Sequence, residues 1–379
     1  MSGQAKIEKS DRLTICIIGG SGYVGLVTGA GLAELGHRVT CVDTNSEAVQ
    51  AIQRNVLPIH EKGLPELVAR NRERLCFTTD LRQGMAAAEV IFVCVGTPSN
   101  STGETDLSQL KEALRAIAPS LNGQLLVIKS TTPPADFPAL EDILRQGSGG
   151  ADFEIAANPE FLREGSAVED FFHPERIVIG AQSPKAVDTL RRVFGPLGVP
   201  VVVTSVKNAW MIKYAANAYL ATRVSFINEI ADLCEHIGAN IDEVIKGLGY
   251  DRRIGKDYLN PGIGFGGPCL PKDLASLIRW AENTDYDPRL LRAVAQKNQD
   301  QAERIVAKAR KMLGGSLSGK KVALWGLVFK PHTSDLRGSQ ALRIAQRLEE
   351  SGTLLRAYDP MVAENVNALP HTTRCTTLY

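Results

Sequence analysis

No apolar run in this sequence approaches the roughly 20 residues that a bilayer-spanning helix needs; runs such as 90–95 and 199–203 are far shorter. No sign of charge dominates either. Lys and Arg total 43 against 42 Asp and Glu, a formal net charge of +1, and neither half is conspicuously basic, so no nucleic-acid surface is expected. Metal-binding spacing is missing as well. The seven cysteines (16, 41, 76, 94, 234, 269, 375) form no knuckle, and the six histidines contain no H-x3–5-H pair, so no metal site is expected. Residues 1–12 are polar, without the apolar stretch of a signal peptide, which predicts a cytoplasmic protein without membrane association. What remains is 379 residues, 44% hydrophobic and 22% charged, the balance of a globular chain too long for one compact core.

The first ~200 residues alternate buried-type strands with amphipathic helices. Strand-like runs fall at 13–19, 38–43, 89–96, 124–130, 153–157, 176–180 and 199–204, with helical stretches such as 107–121 and 185–194 between them. Apolar runs without polar alternation, separated by helices, predict a parallel, doubly wound α/β sheet over 1–205. Cys16, Cys41 and Cys94 lie in these runs, where a reduced thiol serves as a small apolar filler. From 206 the pattern changes. Ile212, Ala215, Ala216, Tyr219, Leu220 and Phe226 recur at helical spacing, so 206–237 reads as one long helix, with more helix at 241–248, 272–282 and 289–313. This predicts a helical central domain over 206–313 that serves dimerisation. After Gly314-Gly315-Ser316 the α/β pattern restarts, with strands at 320–329 and 354–358 and a helix at 340–350. Doubly wound sheets usually take ~100 residues or more, so 314–379 is expected to be a truncated Rossmann-like domain that leans on the helical region, pairs with a second chain or stays partly mobile. A weakened grip on its ligand is the expected consequence.

The chemistry begins in the first strand–helix turn. Gly20, Gly22 and Gly25 stand in G-x-G-x-x-G register, and Asp43 closes the second strand 18 residues beyond Gly25. The glycines allow the tight turn, the approach of a pyrophosphate and close helix packing, while the helix N-terminus offers free N–H groups to phosphate. A carboxylate at the end of the second strand bonds the adenosine ribose hydroxyls. Thr44 and Asn45 follow with no Arg, so NAD is favoured over NADP.

Three further stretches stand out. Residues 158–165 (NPEFLREG) put two carboxylates and an arginine just beyond a strand, a pattern that a solvated loop with an ion pair would also satisfy. Lys213 and Asn217 share one face of the long helix in apolar surroundings, although a lysine there can also snorkel outward. Residues 262–273 (GIGFGGPCLPKD) place Cys269 just before a helix start and close to Lys272, two features that favour a thiolate.

Six blocks in order, GGSGYVGLVTGAGLAELGH, VCVGTPS, NPEFLREGSAVEDF, KYAANAYLATRVSFINEI, GFGGPCLPKD and FKPHTSDLRGS, make the chain resemble the UDP-glucose/GDP-mannose dehydrogenase family over nearly its whole length. KYAAN and SFINE resemble the UDP-glucose branch, and GGPCLPKD differs from the GGHC-type loop of the UDP-N-acetylhexosamine branch. The resemblance implies a four-electron, NAD-dependent oxidation of UDP-glucose at C6 to UDP-glucuronate, with Cys269 as the nucleophile that carries a thiohemiacetal and then a thioester. It implies Lys213, Asn217 and Asp273 around the reacting carbon, Thr131 holding the water, Glu160 assisting hydrolysis, and Glu164 as a nearby carboxylate. Cofactor contacts are implied at Gly20, Gly22, Tyr23, Val24, Gly25, Asp43, Thr97, Thr131 and Arg337. Substrate contacts are implied at Phe161, Leu162, Glu164, Lys213, Asn217, Tyr258, Gly266 and Lys330, with Arg253 reaching the sugar nucleotide from the partner of a homodimer.

The chain departs from the family where Ser130-Thr131 continues as TPPAD in place of V-x-x-G-T. Two other readings stay open from sequence: a dehydrogenase of another nucleotide sugar, GDP-mannose or a UDP-N-acetylhexosamine, and a non-catalytic nucleotide-binding protein. The first general base is open too.

Overall fold

The computed structural model describes residues 12–100, 102–362 and 369–375. The chain divides into two compact units, Met1–Lys213 and Tyr214–Tyr379. In the first, eight strands form one sheet: β1 (Thr14–Ile18), β2 (Arg38–Val42), β3 (Leu75–Thr78), β4 (Val90–Val93), β5 (Leu125–Ile128), β6 (Glu154–Ala157), β7 (Ile177–Gly180) and β8 (Val201–Thr204). Their order is β3-β2-β1-β4-β5-β6-β7-β8. Every pairing is parallel except β6–β7, which meet antiparallel at Ala157 and Gly180. The chain order reverses between β1 and β4, and an open α/β sheet has its ligand crevice at the strand carboxyl ends beside such a reversal.

The sheet is covered on both faces. Along β1, Ile15 and Ile17 belong to one apolar cluster while Cys16 and Ile18 belong to another. Successive strand residues point to opposite sides, so an uninterrupted apolar run is what two covered faces require. The helix Tyr23–Leu35 is buried over most of its surface and ends at Gly36, whose φ of 113° lets its N–H return to Ala33 O. The predicted strands lacked β3. Its four residues carry only one buried side chain, Leu75, and β3 lies at the sheet edge, so neither length nor apolar content marks it.

The second unit takes the long helix Val206–Ile237 from Tyr214 onward and adds helices Ile241–Gly249, Leu270–Glu282, Arg289–Met312 and Gln340–Glu350. A parallel sheet of order β11-β10-β9 completes it, from β9 (Lys321–Trp325), β10 (Leu354–Tyr358) and β11 (Thr373–Arg374). The strand expected over 320–329 stops at Trp325. Gly326 turns the chain at a φ of 90°, and the next two N–H groups, of Leu327 and Val328, donate to Asp359 Oδ2. β11 is an addition, too short to show a period of its own. Helix Arg289–Met312 packs on this sheet: its Ala302 and Val306 share a buried cluster with Leu327, Ile344, Leu348 and Leu355. Among the described residues no helix is long and apolar enough to cross a membrane, and no His, Cys, Asp and Glu cluster could hold a metal ion.

Candidate active site

The turn after β1 sits at the β1/β4 reversal. A Cβ on Gly20 would lie 2.5 Å from Cys41 Cβ on β2, and one on Gly25 would lie 2.1 Å from Gly19 O, so packing forbids side chains at both. Gly22 is different, since a Cβ there would meet only Gly19 O at 3.4 Å. Its bareness serves something outside the turn. Gly22 is also the N-cap of Tyr23–Leu35, with no side-chain cap bond and no acidic residue in the first turn. Uncapped N–H groups with the dipole's positive end suit a phosphate. Asp43, just past β2, accepts Ser21 N–H at 2.9 Å and Asn45 N–H at 3.0 Å, which fixes its carboxylate beside the turn. Thr97 is buried beyond β4 and Thr131 half-buried beyond β5. The donor set and the room at Gly22 fit a dinucleotide.

Beyond β6 the chain places Glu160 in the interior. Its Oε1 meets Lys213 Nζ at 2.9 Å, and its Oε2 accepts Leu162 N–H at 2.6 Å. Both side chains are less than a tenth exposed. Burial pushes the Glu160 carboxyl up, but the Lys213 charge and hydrogen bond, the Leu162 N–H and the Lys129 charge together hold it below its ordinary value. Lys213 Nζ lies 5.4 Å from the Phe161 ring centre, and the Arg176 guanidinium lies 3.7 Å from it. Lys129 is a residue the sequence reading passed over. It is buried, donates to Asn158 Oδ1 at 2.9 Å, and is pushed toward its neutral form by burial. Its signal was available: a lysine closing the otherwise apolar run 125–128.

Glu61 was also missed. Buried, it accepts the Tyr23 phenol, Gly165 N–H at 2.8 Å and Ala167 N–H at 2.9 Å, so it ties the first residue of the cofactor helix to the loop carrying Glu160 and Glu164. Burial first, and then Glu61, push the Tyr23 phenol up, so it stays a donor. Arg163 makes the local ion pair that a solvated loop predicts, a forked contact to Asp170. Glu164 is half-buried in the same loop.

In the second unit Cys269 is exposed and is the N-cap of Leu270–Glu282, with Pro271 in the first turn. Cys76 on β3 is also exposed, whereas Cys16, Cys41, Cys94 and Cys234 are buried and Cys375 half-buried. Cys16, Cys41 and Cys94 are buried fillers whose thiols burial pushes up, to about 12 for Cys16 and Cys94. Asp273, 1% exposed, accepts Asn217 Nδ2 at 2.6 Å and Lys272 Nζ at 2.6 Å, and its N–H donates to Cys269 O at 2.9 Å. Asp273 thus ties the cysteine's helix to the long helix. Lys272, three residues beyond Cys269, forms an ion pair with Asp273.

Elsewhere in this unit Tyr258 is half-buried with a φ of 58°, and Arg253, largely exposed, grips Asp251 through Nη2 at 2.6 Å. Lys330 Nζ stands 5.7 Å from the Phe329 ring centre, and Arg337 Nε donates to Asp335 at 2.8 Å. Gly266 is half-buried in the loop leading to Cys269.

Three models of one family match the chain. The NAD binding domain of the UDP-glucose/GDP-mannose dehydrogenase family matches 13–198, its central domain 207–300, and its UDP binding domain 323–379. The UDP-glucose 6-dehydrogenase YwqF of Bacillus subtilis is 43% identical over 357 residues, 93% of this chain and 81% of the relative. The UDP-glucose 6-dehydrogenase of Rhizobium meliloti is 43% identical over 359 residues, 92% and 82% of the two chains. Among solved structures, the UDP-glucose dehydrogenase of Pyrobaculum islandicum has a TM-score of 0.94 at 36% identity, covering 98% of this chain and 88% of its own.

Proposed function

The chain belongs to the UDP-glucose/GDP-mannose dehydrogenase family, and from that membership we propose that it is an NAD-dependent UDP-glucose 6-dehydrogenase, forming UDP-glucuronate. The observation that carries the four-electron reading is an exposed thiol at a helix N-terminus, Cys269; the other exposed cysteine among the described residues, Cys76, lies in the edge strand β3.

Gly20, Gly22, Tyr23, Val24 and Gly25 would hold the cofactor's pyrophosphate and Asp43 its adenosine ribose, with Thr97, Thr131 and Arg337 as further cofactor contacts. Bound NAD supplies the hydride acceptor, one equivalent for each of two oxidations at C6. After the first, Cys269 Sγ adds to the aldehyde carbon and the carbonyl oxygen becomes a hydroxyl, so the aldehyde cannot escape. Loss of the second hydride from C6, with the hydroxyl proton released toward solvent, leaves a thioester on Cys269. Water attacks C6, the C–S bond breaks, and the carboxylate leaves with the thiolate restored. Lys213 as a cation and Asn217 as an N–H donor stabilise the C6 oxyanion, with Asp273 fixing the Asn217 amide. Glu160, ionised beside Lys213, takes a proton from the attacking water, which Thr131 helps to hold; Glu164 is the second carboxylate. Phe161, Leu162, Tyr258, Gly266 and Lys330 contact the sugar nucleotide.

Two NADH should form per UDP-glucuronate with no free aldehyde, read from absorbance at saturating UDP-glucose and product analysis. A panel including GDP-mannose and UDP-N-acetylhexosamines should give rates lower by at least ~10²-fold. A 1:1 ratio, or preference for another nucleotide sugar, contradicts the reading.

The long helix supports a homodimer. Tyr219, Phe226, Leu233 and Ile237 recur at intervals of seven and four and are 60%, 50%, 54% and 79% exposed, an apolar stripe that a second copy would cover. Arg253 of one subunit is proposed to reach the sugar nucleotide of the other. Mixing Cys269→Ser with Arg253→Ala subunits is then expected to restore roughly a quarter of wild-type activity by statistical exchange. Absence of rescue, with exchange demonstrated, would count against sharing. A cytoplasmic location suits a nucleophile that must stay reduced.

A further inference from the structure

The loop leading to Cys269 is held by its backbone. Gly262 N–H donates to Asn228 Oδ1 at 2.8 Å, and Gly262 O accepts Gln301 Nε2 at 2.9 Å. Phe265 N–H donates to Asn298 Oδ1 at 2.7 Å, and Phe265 O accepts Asn298 Nδ2 at 2.9 Å. At two points, three residues apart, both backbone groups are taken by buried carboxamides from the two longest helices. That clamp is complete in itself.

Phe265 O nevertheless accepts a second donor, Gln340 Nε2, at 3.1 Å. Gln340 opens helix Gln340–Glu350 and immediately follows the turn 326–339 that carries Lys330 and Arg337. That turn also meets the loop backbone to backbone. A Cβ on Gly266 would stand 2.3 Å from Gly338 O, and one on Gly338, whose φ is 61°, 3.0 Å from Gly267 O. Gln340 supplies the side-chain hydrogen bond across this interlock.

Stability alone does not account for an amide at this position. Gln340 is 5% exposed, and its Oε1 is buried without a partner among the described residues. A buried carbonyl oxygen left unsatisfied disfavours the fold, whereas methionine would fill similar space without that cost. A residue that burdens the fold and adds a redundant bond to a substrate loop has the character of a functional position.

We infer that Gln340 is a positioning residue: its N–H sets the 262–267 loop against the turn bearing Lys330, so that a sugar nucleotide held by both is presented in register. This rests on the reading of 262–267 and Lys330 as substrate contacts. Gln340→Met is the test, with Gln340→Glu, which also removes the N–H, as the second variant should methionine prevent folding. Hydrogen exchange over 262–268 is expected to quicken by ~10-fold or more, while helix 270–282 is unchanged and Tm equals or exceeds wild type. KM for UDP-glucose should rise about 10-fold, with kcat and KM for NAD within about threefold, as loss of uniform substrate binding requires. Unchanged exchange over the loop overturns the inference, as does quickened exchange with an unchanged KM for UDP-glucose, or a KM for NAD that rises in parallel. If wild type makes no NADH from UDP-glucose, the functional reading fails, whereas exchange without substrate still decides whether Gln340 fixes the loop.

Discussion

Cys269→Ser is expected to release at most one NADH per active site and to lower sustained turnover on the order of 10³-fold or more. A serine hydroxyl is not ionised at neutral pH, so it captures the aldehyde poorly, and an oxygen ester yields to water more slowly than a thioester. Burial pushes the thiols of Cys16, Cys41 and Cys94 up, so none of the three is a ready thiolate. Destabilisation would not explain the loss either. Cys269 is exposed and makes no side-chain cap bond, so the variant's stability should stay within about 0.5 kcal/mol of wild type. Loss of turnover with Tm held separates chemistry from folding. Stopped-flow absorbance for the burst and calorimetry for Tm make the comparison; near-wild-type turnover in the serine variant would remove Cys269 from the mechanism.

The features legible in sequence are those with a local period or a fixed spacing. The long helix was read from its apolar repeat and the structure gives the same ends, Val206 and Ile237. The turn at Gly20, Gly22 and Gly25 declared itself because strand, helix and Asp43 fall at set intervals along 30 residues or so. What escaped was joined across distance. Glu61 lies 38 positions from Tyr23 and 104 from Gly165, and no periodicity links them. Lys129 and Asn158 meet only because β5 and β6 are neighbours in the sheet. Adjacency of Lys272 to Cys269 was plain in sequence, but its ion pair with the buried Asp273 carboxylate, itself bonded by Asn217, was not. Local pattern fixes which elements form; competition among side chains in the folded interior decides which partner each charge takes.

The pair of Glu160 and Lys213 carries the largest expected effect on stability. Lys213→Met leaves a carboxylate in the interior whose remaining buried cation, Lys129, is itself pushed toward neutrality. Removing one partner of a buried pair costs about 3–5 kcal/mol, whereas removing both charges in Glu160→Gln with Lys213→Met should cost markedly less, because the loss is mostly the stranded charge and not the absent bond. The pH dependence follows from the direction of the Glu160 shift. In the wild type its carboxyl is held below its ordinary value, so the pair's contribution is full above the unfolded value and declines only as pH falls below roughly 4. In Lys213→Met the lysine's charge and hydrogen bond are gone and burial dominates, so the carboxyl moves up and takes a proton more readily as pH falls. The stability gap between wild type and variant should therefore be widest near pH 8 and narrow toward pH 5, where the variant can neutralise its stranded group and the wild type gains nothing. Urea unfolding of both proteins at the two pH values measures the gap directly. A gap that stays constant would mean that Glu160 remains equally ionised without Lys213, and that Lys129 supplies the compensation assigned here to Lys213.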